Sequence, residues 1–261
     1  MGLYAWSLFI VIEIKELYKS FGKQQVLKGV NLIINEGEVT AIIGRSGGGK
    51  SVLLKHIVGL LKPDKGSVFI KGMDITKLKG SQLDEIRADI GVVFQGGALF
   101  DSMTVYDNVA FPLTEKTKLN KKEINDRVMK ALSDVGLQGM EYKYPAELSG
   151  GMRKRVALAR ALIAHPKIIL FDEPTTGLDP ILVRSIHKLI RDTQRQYGFT
   201  GLIISHEIPE IFEISDRVAM LHDGKIVEIG TPEEIQKSEN IVVKNFIMGI
   251  ENGGSNEKGK S

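Results

Sequence analysis

A glycine-rich run that ends in a lysine and a serine carries the clearest chemistry in this chain of 261 residues. It fits the pattern G-x-x-x-x-G-K-[ST], in which backbone N–H groups surround a phosphate group. Lys50 would place a positive charge on the β- and γ-phosphates, and the Ser51 hydroxyl would reach Mg²⁺. The residues expected to contact the nucleotide here are Gly44, Arg45, Ser46, Gly47, Gly48, Gly49, Lys50, Ser51 and Val52.

The segments on either side of this loop predict the elements that position it. Residues 39–43 are apolar and mostly β-branched, which is typical of a buried parallel strand. Apolar residues at helical spacing follow the loop as far as Leu61, and a helix starting there would turn its positive dipole end toward the phosphates. The alternative is a Gly-rich turn with a chance Lys-Ser, and the flanking strand and helix argue against it.

An acidic pair, Asp172-Glu173, follows the apolar residues 168–171. Ligands of open α/β sheets bind at the carboxyl ends of strands, so Asp172 would support Mg²⁺ and Glu173 would polarise a water for attack on the γ-phosphate. The alternative reading is an ordinary surface loop. His206 ends the next predicted strand, which could bring its imidazole to the γ-phosphate. The remaining histidines are interpreted as structural: His56, His165, His187 and His222.

The amino-acid composition limits which partners and which cellular compartment are expected. The formal net charge of +3 is too weak to indicate nucleic acid or an anionic membrane surface, so we expect no nucleic-acid partner. The absence of cysteine excludes disulfides and thiolate metal sites. The apolar residues 3–12 are about half of what a bilayer needs, and no basic residue precedes Lys15, so we expect no signal peptide or anchor. An extension of the first strand, or a start codon placed too early, explains this run better, and the chain is expected to be soluble by itself.

Strands and helices alternate along the rest of the chain, which predicts an α/β fold with a mostly parallel sheet. Ser149 is expected to cap a helix over residues 150–164, and Pro166 to end it. Residues 253–261 have no apolar content, so we expect a disordered tail. Further strands are predicted over residues 67–70, 90–94, 167–171, 201–205 and 218–221, and a further helix over residues 119–135.

The run Leu148-Ser149-Gly150-Gly151-Met152 resembles the signature of ATP-binding-cassette (ABC) ATPases. Together with the loop and the acidic pair, it makes residues 12–235 similar to the nucleotide-binding subunit of an ABC transporter. The resemblance implies an ATPase with a P-loop NTPase (RecA-like) α/β core, a small antiparallel β part and a helical subdomain. The implied division is 1–95 for the β part and P-loop, 96–165 for the helical subdomain with the signature, 166–235 for the rest of the core, and 236–261 for a C-terminal tail.

The resemblance also implies roles for single residues. Phe21 matches the aromatic residue that stacks on adenine, and Gln95 matches the glutamine that senses Mg²⁺ and water where membrane subunits dock. Asp179 matches the D-loop aspartate and His206 the switch histidine. The implied catalytic residues are Glu173, His206 and Gln95, and the implied metal-binding residues are Ser51, Gln95 and Asp172.

In this family the signature cannot reach the ATP of its own chain. The resemblance therefore implies that a second copy of the chain binds head to tail, so that backbone donors of residues 148–152 complete the γ-phosphate site of the opposite subunit. Met152 departs from the common Gln, which removes any side-chain contact to the ribose and leaves the backbone donors. Integral-membrane permease subunits are the other implied partners.

A narrower resemblance lies in residues 95–113, which are similar to the ATPases of MCE-type (mammalian-cell-entry) lipid transport systems. The spelling Leu-Ser-Gly-Gly-Met is usual in that branch. It implies phospholipid transport, an MCE-domain lipid-binding partner and a peripheral position on the cytoplasmic face of the inner membrane. The apolar residues here are expected either to dock on a membrane subunit or to form the core of the helical subdomain: Ala98, Leu99, Phe100, Met103 and Val105.

Three questions stay open in the sequence. One is whether this is instead the ATPase of another transporter class or a soluble ABC ATPase that transports nothing, although the single cassette and the short gap between Gln95 and Leu148 disfavour the soluble class. The second is whether the chain is a GTPase or a small-molecule kinase. The guanine-reading Asn-Lys-x-Asp motif of a GTPase is not present. The third is whether the apolar residues at helical spacing over 241–250 dock on a neighbour or on their own domain.

Overall fold

The computed structural model describes residues 10–250. The expectations for the first residues and for the tail fall partly on residues 1–9 and 251–261, which lie outside the described residues. The strands of the described part are, in chain order, β1 (Ile10–Phe21), β2 (Gln24–Asn35), β3 (Val39–Ile43), β4 (Lys65–Ile70), β5 (Met73–Asp74), β6 (Ile90–Val93), β7 (Ile168–Asp172), β8 (Thr200–Ser205), β9 (Arg217–His222) and β10 (Lys225–Gly230).

A six-stranded sheet in the order β10-β9-β3-β8-β7-β6 forms the centre of the molecule. All of its neighbours are parallel except β10, which pairs antiparallel to β9 and was not predicted. Because β3, β8 and β7 are adjacent and parallel, the residues that follow them meet at one edge. The expected buried strand over residues 90–94 is wrong in one respect: β6 lies at the edge of the sheet and is only half-buried.

Both faces of this sheet are covered, so its strands alternate between two cores. Val39, Ala41 and Ile43 of β3 belong to the larger of the two cores, the main core, whereas Ile42 belongs to the core on the opposite face. That second core lies against an antiparallel sheet in the order β2-β1-β4-β5, which confirms the expected small antiparallel part. The P-loop NTPase fold with its α/β core is confirmed.

The helices follow local capping signals. Asn120 and Glu123 form a capping box for the helix expected over 119–135, and Ser149 caps the helix that begins at Gly150, as expected. No helix among residues 10–250 is long and apolar enough to cross a membrane. The helices are α1 (Lys50–Ile57), α2 (Ser81–Ala88), α3 (Val105–Lys116), α4 (Lys121–Asp134), α5 (Gly150–Leu162), α6 (Pro180–Tyr197), α7 (Pro232–Gln236) and α8 (Ile241–Ile247).

Two helices end earlier than predicted. Helix α1 stops at Ile57 rather than near Leu61, because Gly59 adopts φ 67° and turns the chain away. Helix α5 stops at Leu162, since His165 takes a left-handed φ of 51° before Pro166. At the other end of the chain, Val243 of α8 is fully buried in the main core, so this segment packs on its own domain.

Candidate active site

The glycine-rich loop runs from the end of β3 to the start of α1. Gly44 passes so close to β9 that a Cβ atom there would lie 2.3 Å from the Leu221 carbonyl oxygen, so only glycine fits. Gly49 is the N-cap residue of α1 with φ 96°, and no side chain caps this helix. The first N–H groups of α1 therefore remain available to an anion.

Lys50 is the cation of this loop and is only 4% exposed. Its Nζ donates to the carbonyl oxygens of Gly44 (2.8 Å) and Arg45 (3.0 Å) and lies 3.7 Å from Glu173 Oε1. Burial lowers the pKa of Lys50, and the carboxylates of Glu173 and Asp172 oppose that shift. A buried cation beside free helix N–H groups favours a bound anion. A triphosphate is such an anion, so the loop is suited to bind it.

Two oxygen donors meet at the edge of β7. The Ser51 hydroxyl donates to Asp172 Oδ1 over 2.8 Å, so a side chain of α1 and the last residue of β7 converge. Hydroxyl and carboxylate oxygens are ligands that Mg²⁺ prefers, and Mg²⁺ usually takes only one or two protein carboxylates. Within residues 10–250 no group of three or more His, Cys, Asp or Glu side chains could hold a metal. The pair therefore fits Mg²⁺ bound jointly with phosphate oxygens rather than alone.

Glu173 is the point on which the other candidate residues converge. It has a left-handed φ of 47°, rare for a non-glycine residue, and its N–H donates to Ile204 O of β8 over 3.0 Å. His206 Nδ1 lies 3.4 Å from Glu173 Oε1, while Gln95 Nε2 (3.4 Å) and Thr176 Oγ1 (3.1 Å) donate to Oε2. The sequence indicated His206 and Gln95, whereas Thr176 was missed although it lies three residues after Glu173.

The signature residues surround the start of α5. Leu148 is buried, and the Ser149 hydroxyl accepts from the Met152 N–H over 3.3 Å. Gly150 and Gly151 lie beside Leu178 and Leu182: a Cβ atom at either glycine would be in ordinary van der Waals contact with one of these leucines. The contacts of this segment thus run to its own helix and to the start of α6, while Met152 packs against the main core.

Two further predicted residues lie at the ends of other elements. Phe21 ends β1 and is 48% exposed, with Lys19 Nζ 5.6 Å from its ring centroid, so its ring is open to stacking. Asp179 Oδ1 accepts from the N–H groups of Ile181 and Leu182, each over 3.0 Å, and so caps α6. The Asp-Pro dipeptide was a readable signal for that cap, because Asp is favoured at the N-cap and Pro at the first helical position.

A phosphate loop between a parallel strand and a helix, opposed by an acidic pair on a nearby strand, defines a P-loop NTPase. The family described as ABC transporter matches residues 27–176. The chain belongs to the ABC transporter family, and it is an ATP-binding, ATP-hydrolysing subunit of a transporter. The GTPase and kinase alternatives are thereby excluded.

Two of the similar relatives carry different transport names. The probable ribonucleotide transport ATP-binding protein mkl of Mycobacterium leprae is 47% identical over 240 residues, which are 92% of this chain and 69% of that protein. The intermembrane phospholipid transport system ATP-binding protein MlaF of Haemophilus influenzae is 40% identical over 243 residues, which are 93% of this chain and 92% of that one.

Solved structures of ABC cassettes share the fold. That of cbiO1 from Clostridium perfringens, part of the transporter complex cbiONQ, has a TM-score of 0.82 at 34% identity, covering 91% of this chain and 94% of the other. The dimeric post-hydrolysis structure of the cassette MJ0796 with ADP and Pi has a TM-score of 0.77 at 34% identity, covering 85% of this chain and 98% of the other.

Proposed function

We propose that this chain is the ATPase of an MCE-type phospholipid transporter, working as a head-to-tail pair on the cytoplasmic face of the inner membrane as a peripheral subunit. The convergence of Lys50, Gln95 and His206 on Glu173 supports the proposed hydrolysis. MlaF, which matches this chain along nearly its full length, supports the lipid assignment. The proposed partners are a second copy, permease subunits and an MCE-domain subunit.

In the proposed reaction a water oxygen attacks the γ-phosphorus, the bond to the β–γ bridging oxygen breaks, and the water proton passes to Glu173. Gln95 and His206 orient that water beside the carboxylate, and Lys50 neutralises the charge on the departing ADP. Ser51, Gln95 and Asp172 would hold Mg²⁺, which supplies charge neutralisation on the phosphate oxygens when bound. The products are ADP and phosphate.

The proposed second copy supplies what this site lacks. The exposed N-terminus of α5 offers backbone donors and a positive dipole end, with no acidic residue in the first turn to occupy them. The dimeric cassettes among similar structures support such a pairing. ATP binding would close the pair, and hydrolysis followed by release would reopen it and move the permease.

A groove of about 580 Å³ on α3 is the proposed seat of the permease. Tyr106, Ala110 and Phe111 of α3 line it together with Met103 and Ile124. The apolar residues noted in the sequence divide between the two expectations, because Val105 is buried core and Leu99 packs on the core, while Ala98 and Phe100 are exposed.

The same proposal treats residues 96–165, which include α3, α4 and α5, as the helical subdomain between core parts 1–95 and 166–235, with 236–261 as the C-terminal tail.

Isolation of the native complex tests this function. We expect the tagged chain to bring down a permease and an MCE-domain protein, with phospholipid found by mass spectrometry of the complex. The name of mkl favours a second candidate, ribonucleotide transport. A complex without phospholipid whose ATPase rate rises with added nucleoside monophosphate would replace the lipid assignment.

A matched pair of variants tests the groove. Phe100 and Met129 are exposed to nearly the same extent, 42% and 40%, but Phe100 makes a tilted ring contact with the groove residue Phe111, at 4.8 Å between ring centroids. Phe100→Asp should lose the copurified permease while ATP binding persists, and Met129→Asp should keep it. Equal recovery of the permease by both variants would place the docking surface elsewhere.

A further inference from the structure

A buried lysine on the signature helix is not used by the proposed reaction. Lys154 of α5 is only 9% exposed, and its stem lines a small internal cavity with Val93, Phe171 and Pro174. Phe171 directly precedes the acidic pair on β7 and Pro174 directly follows it. The lysine therefore passes beneath the loop that carries Asp172 and Glu173.

The Lys154 ammonium donates to the backbone carbonyl of Gln95, which joins two segments far apart in the chain. Burial lowers the pKa of Lys154, while the nearby carboxylates of Glu207 and Glu173 oppose that shift. Glu207 follows His206 and accepts a hydrogen bond from Thr175, two residues after Glu173. The ammonium thus lies among the three loops that carry Gln95, Glu173 and His206.

Packing alone does not account for a lysine at this place. A buried ammonium loses solvation and is tolerated only where hydrogen bonds and opposite charges compensate it. A methionine would fill the same space at no such cost. The charge and the donor therefore serve an interaction, and the Gln95 carbonyl is the hydrogen-bond acceptor that the structure shows.

We propose that Lys154 is a positioning residue that fixes the Gln95 loop to the signature helix, so that displacement of α5 moves the Gln95 side chain relative to Glu173. When the start of α5 engages the nucleotide of a partner copy, Lys154, which lies one turn further along the same face of the helix, shifts the Gln95 loop. The proposal rests on the role of Gln95 in the proposed function.

Steady-state kinetics of the full chain test this link. Lys154→Met should lower kcat about tenfold through misplacement of Gln95, with KM for ATP changed less than about twofold. Lys154→Arg should recover most of kcat, because a guanidinium also donates to a carbonyl. The control is Lys122→Met on exposed α4, which should leave both constants unchanged. If Lys154→Met does not fold, Lys154→Leu, which also lacks a donor, carries the same comparison with Lys154→Arg.

A double-mutant cycle separates this role from a merely structural one. Residues that act as one unit are non-additive, so Lys154→Met should lower kcat no further once Gln95→Ala is present. An additive loss in the double variant, or a lowered melting temperature with kcat unchanged, would overturn the role of Lys154. An unchanged kcat in Gln95→Ala alone would instead refute the proposed role of Gln95.

Discussion

Two helix N-termini in this molecule present free backbone donors, and they are built differently. Helix α1 follows Gly49, lacks a side-chain cap and is surrounded by charge from its own chain, with Lys50 and Glu173 3.7 Å apart. Helix α5 follows Ser149, whose hydroxyl caps the Met152 N–H, and its first two glycines lie against the apolar residues Leu178 and Leu182. The α1 end lies among the proposed reactive groups, whereas the α5 end holds none of them and offers an anion its backbone N–H groups and its dipole.

The difference indicates that one helix end binds ATP and the other completes the ATP site of a second copy. A buried lysine beside free N–H groups holds a triphosphate strongly, whereas a helix dipole contributes about 0.3–1 kcal/mol at an exposed site. The α1 end is thus suited to bind ATP by itself. The α5 end is suited to a weaker, reversible contact that depends on what approaches it, which is how a site made of two copies would open and close.

The largest effect is expected where the reactive groups converge. Glu173→Gln removes the proposed base and should lower the rate of phosphate release by about 10²–10⁴. ATP binding should persist, and the closed pair should accumulate in light scattering with ATP. The control is Glu213→Gln, an exposed glutamate in the same part of the fold, which should turn over normally. Normal turnover in Glu173→Gln would assign the base to another group.

The α5 end should behave differently. Ser149→Arg places a bulky cation at the helix start and should abolish hydrolysis, a loss of about 10² or more, comparable to removing donors from a charged transition state. ATP affinity of the single subunit should stay within about twofold. Ser81→Arg, at the exposed start of α2, is the matched control. Equal loss of affinity and rate would show that the signature acts on the nucleotide of its own chain.

Mixing the two inactive variants sharpens the comparison further. In a mixed pair, the intact loop of the Ser149→Arg chain faces the intact signature of the Glu173→Gln chain, so one site is complete. Random association makes half of the pairs mixed, and each has one of two sites, so about a quarter of the wild-type rate should return. Controls are each variant mixed with itself. No recovery in the mixture would contradict a site shared between copies.

The sequence predicted the features that local patterns encode. The β-branched run before Gly44, the acidic pair after β7 and the Ser149 cap each depend on neighbours within about ten residues, so their placement was readable. The edge position of β6 was not, because strand order is set by long-range pairing. The contact of Lys154 with the Gln95 carbonyl had no local sequence signal for the same reason. Asp179 did have a local signal for capping α6, but it was interpreted only through its match to the D-loop aspartate.

A buried histidine makes helix α6, which begins beside the start of α5, sensitive to pH. His187 of α6 is 2% exposed, and its Nε2 lies 4.0 Å from Glu207 Oε2, next to His206 in the chain. Burial lowers the pKa of His187 from 6.5 to about 4, against the opposing influence of Glu210.

The smallest expected effect follows from that shift. Between pH 6.5 and about 4 the unfolded chain binds a proton at His187 that the folded chain does not, so the free energy of unfolding falls as the pH falls through this window. Urea unfolding at pH 7 and pH 5 should show the wild type losing about 2 kcal/mol more than His187→Leu, which has no proton to bind. The control is His165→Asn at an exposed position. It should lose as much stability between pH 7 and pH 5 as the wild type, because His187 and its surroundings are unchanged. Should His187→Leu lose stability as steeply as the wild type, the acid sensitivity of the fold would reside in other groups.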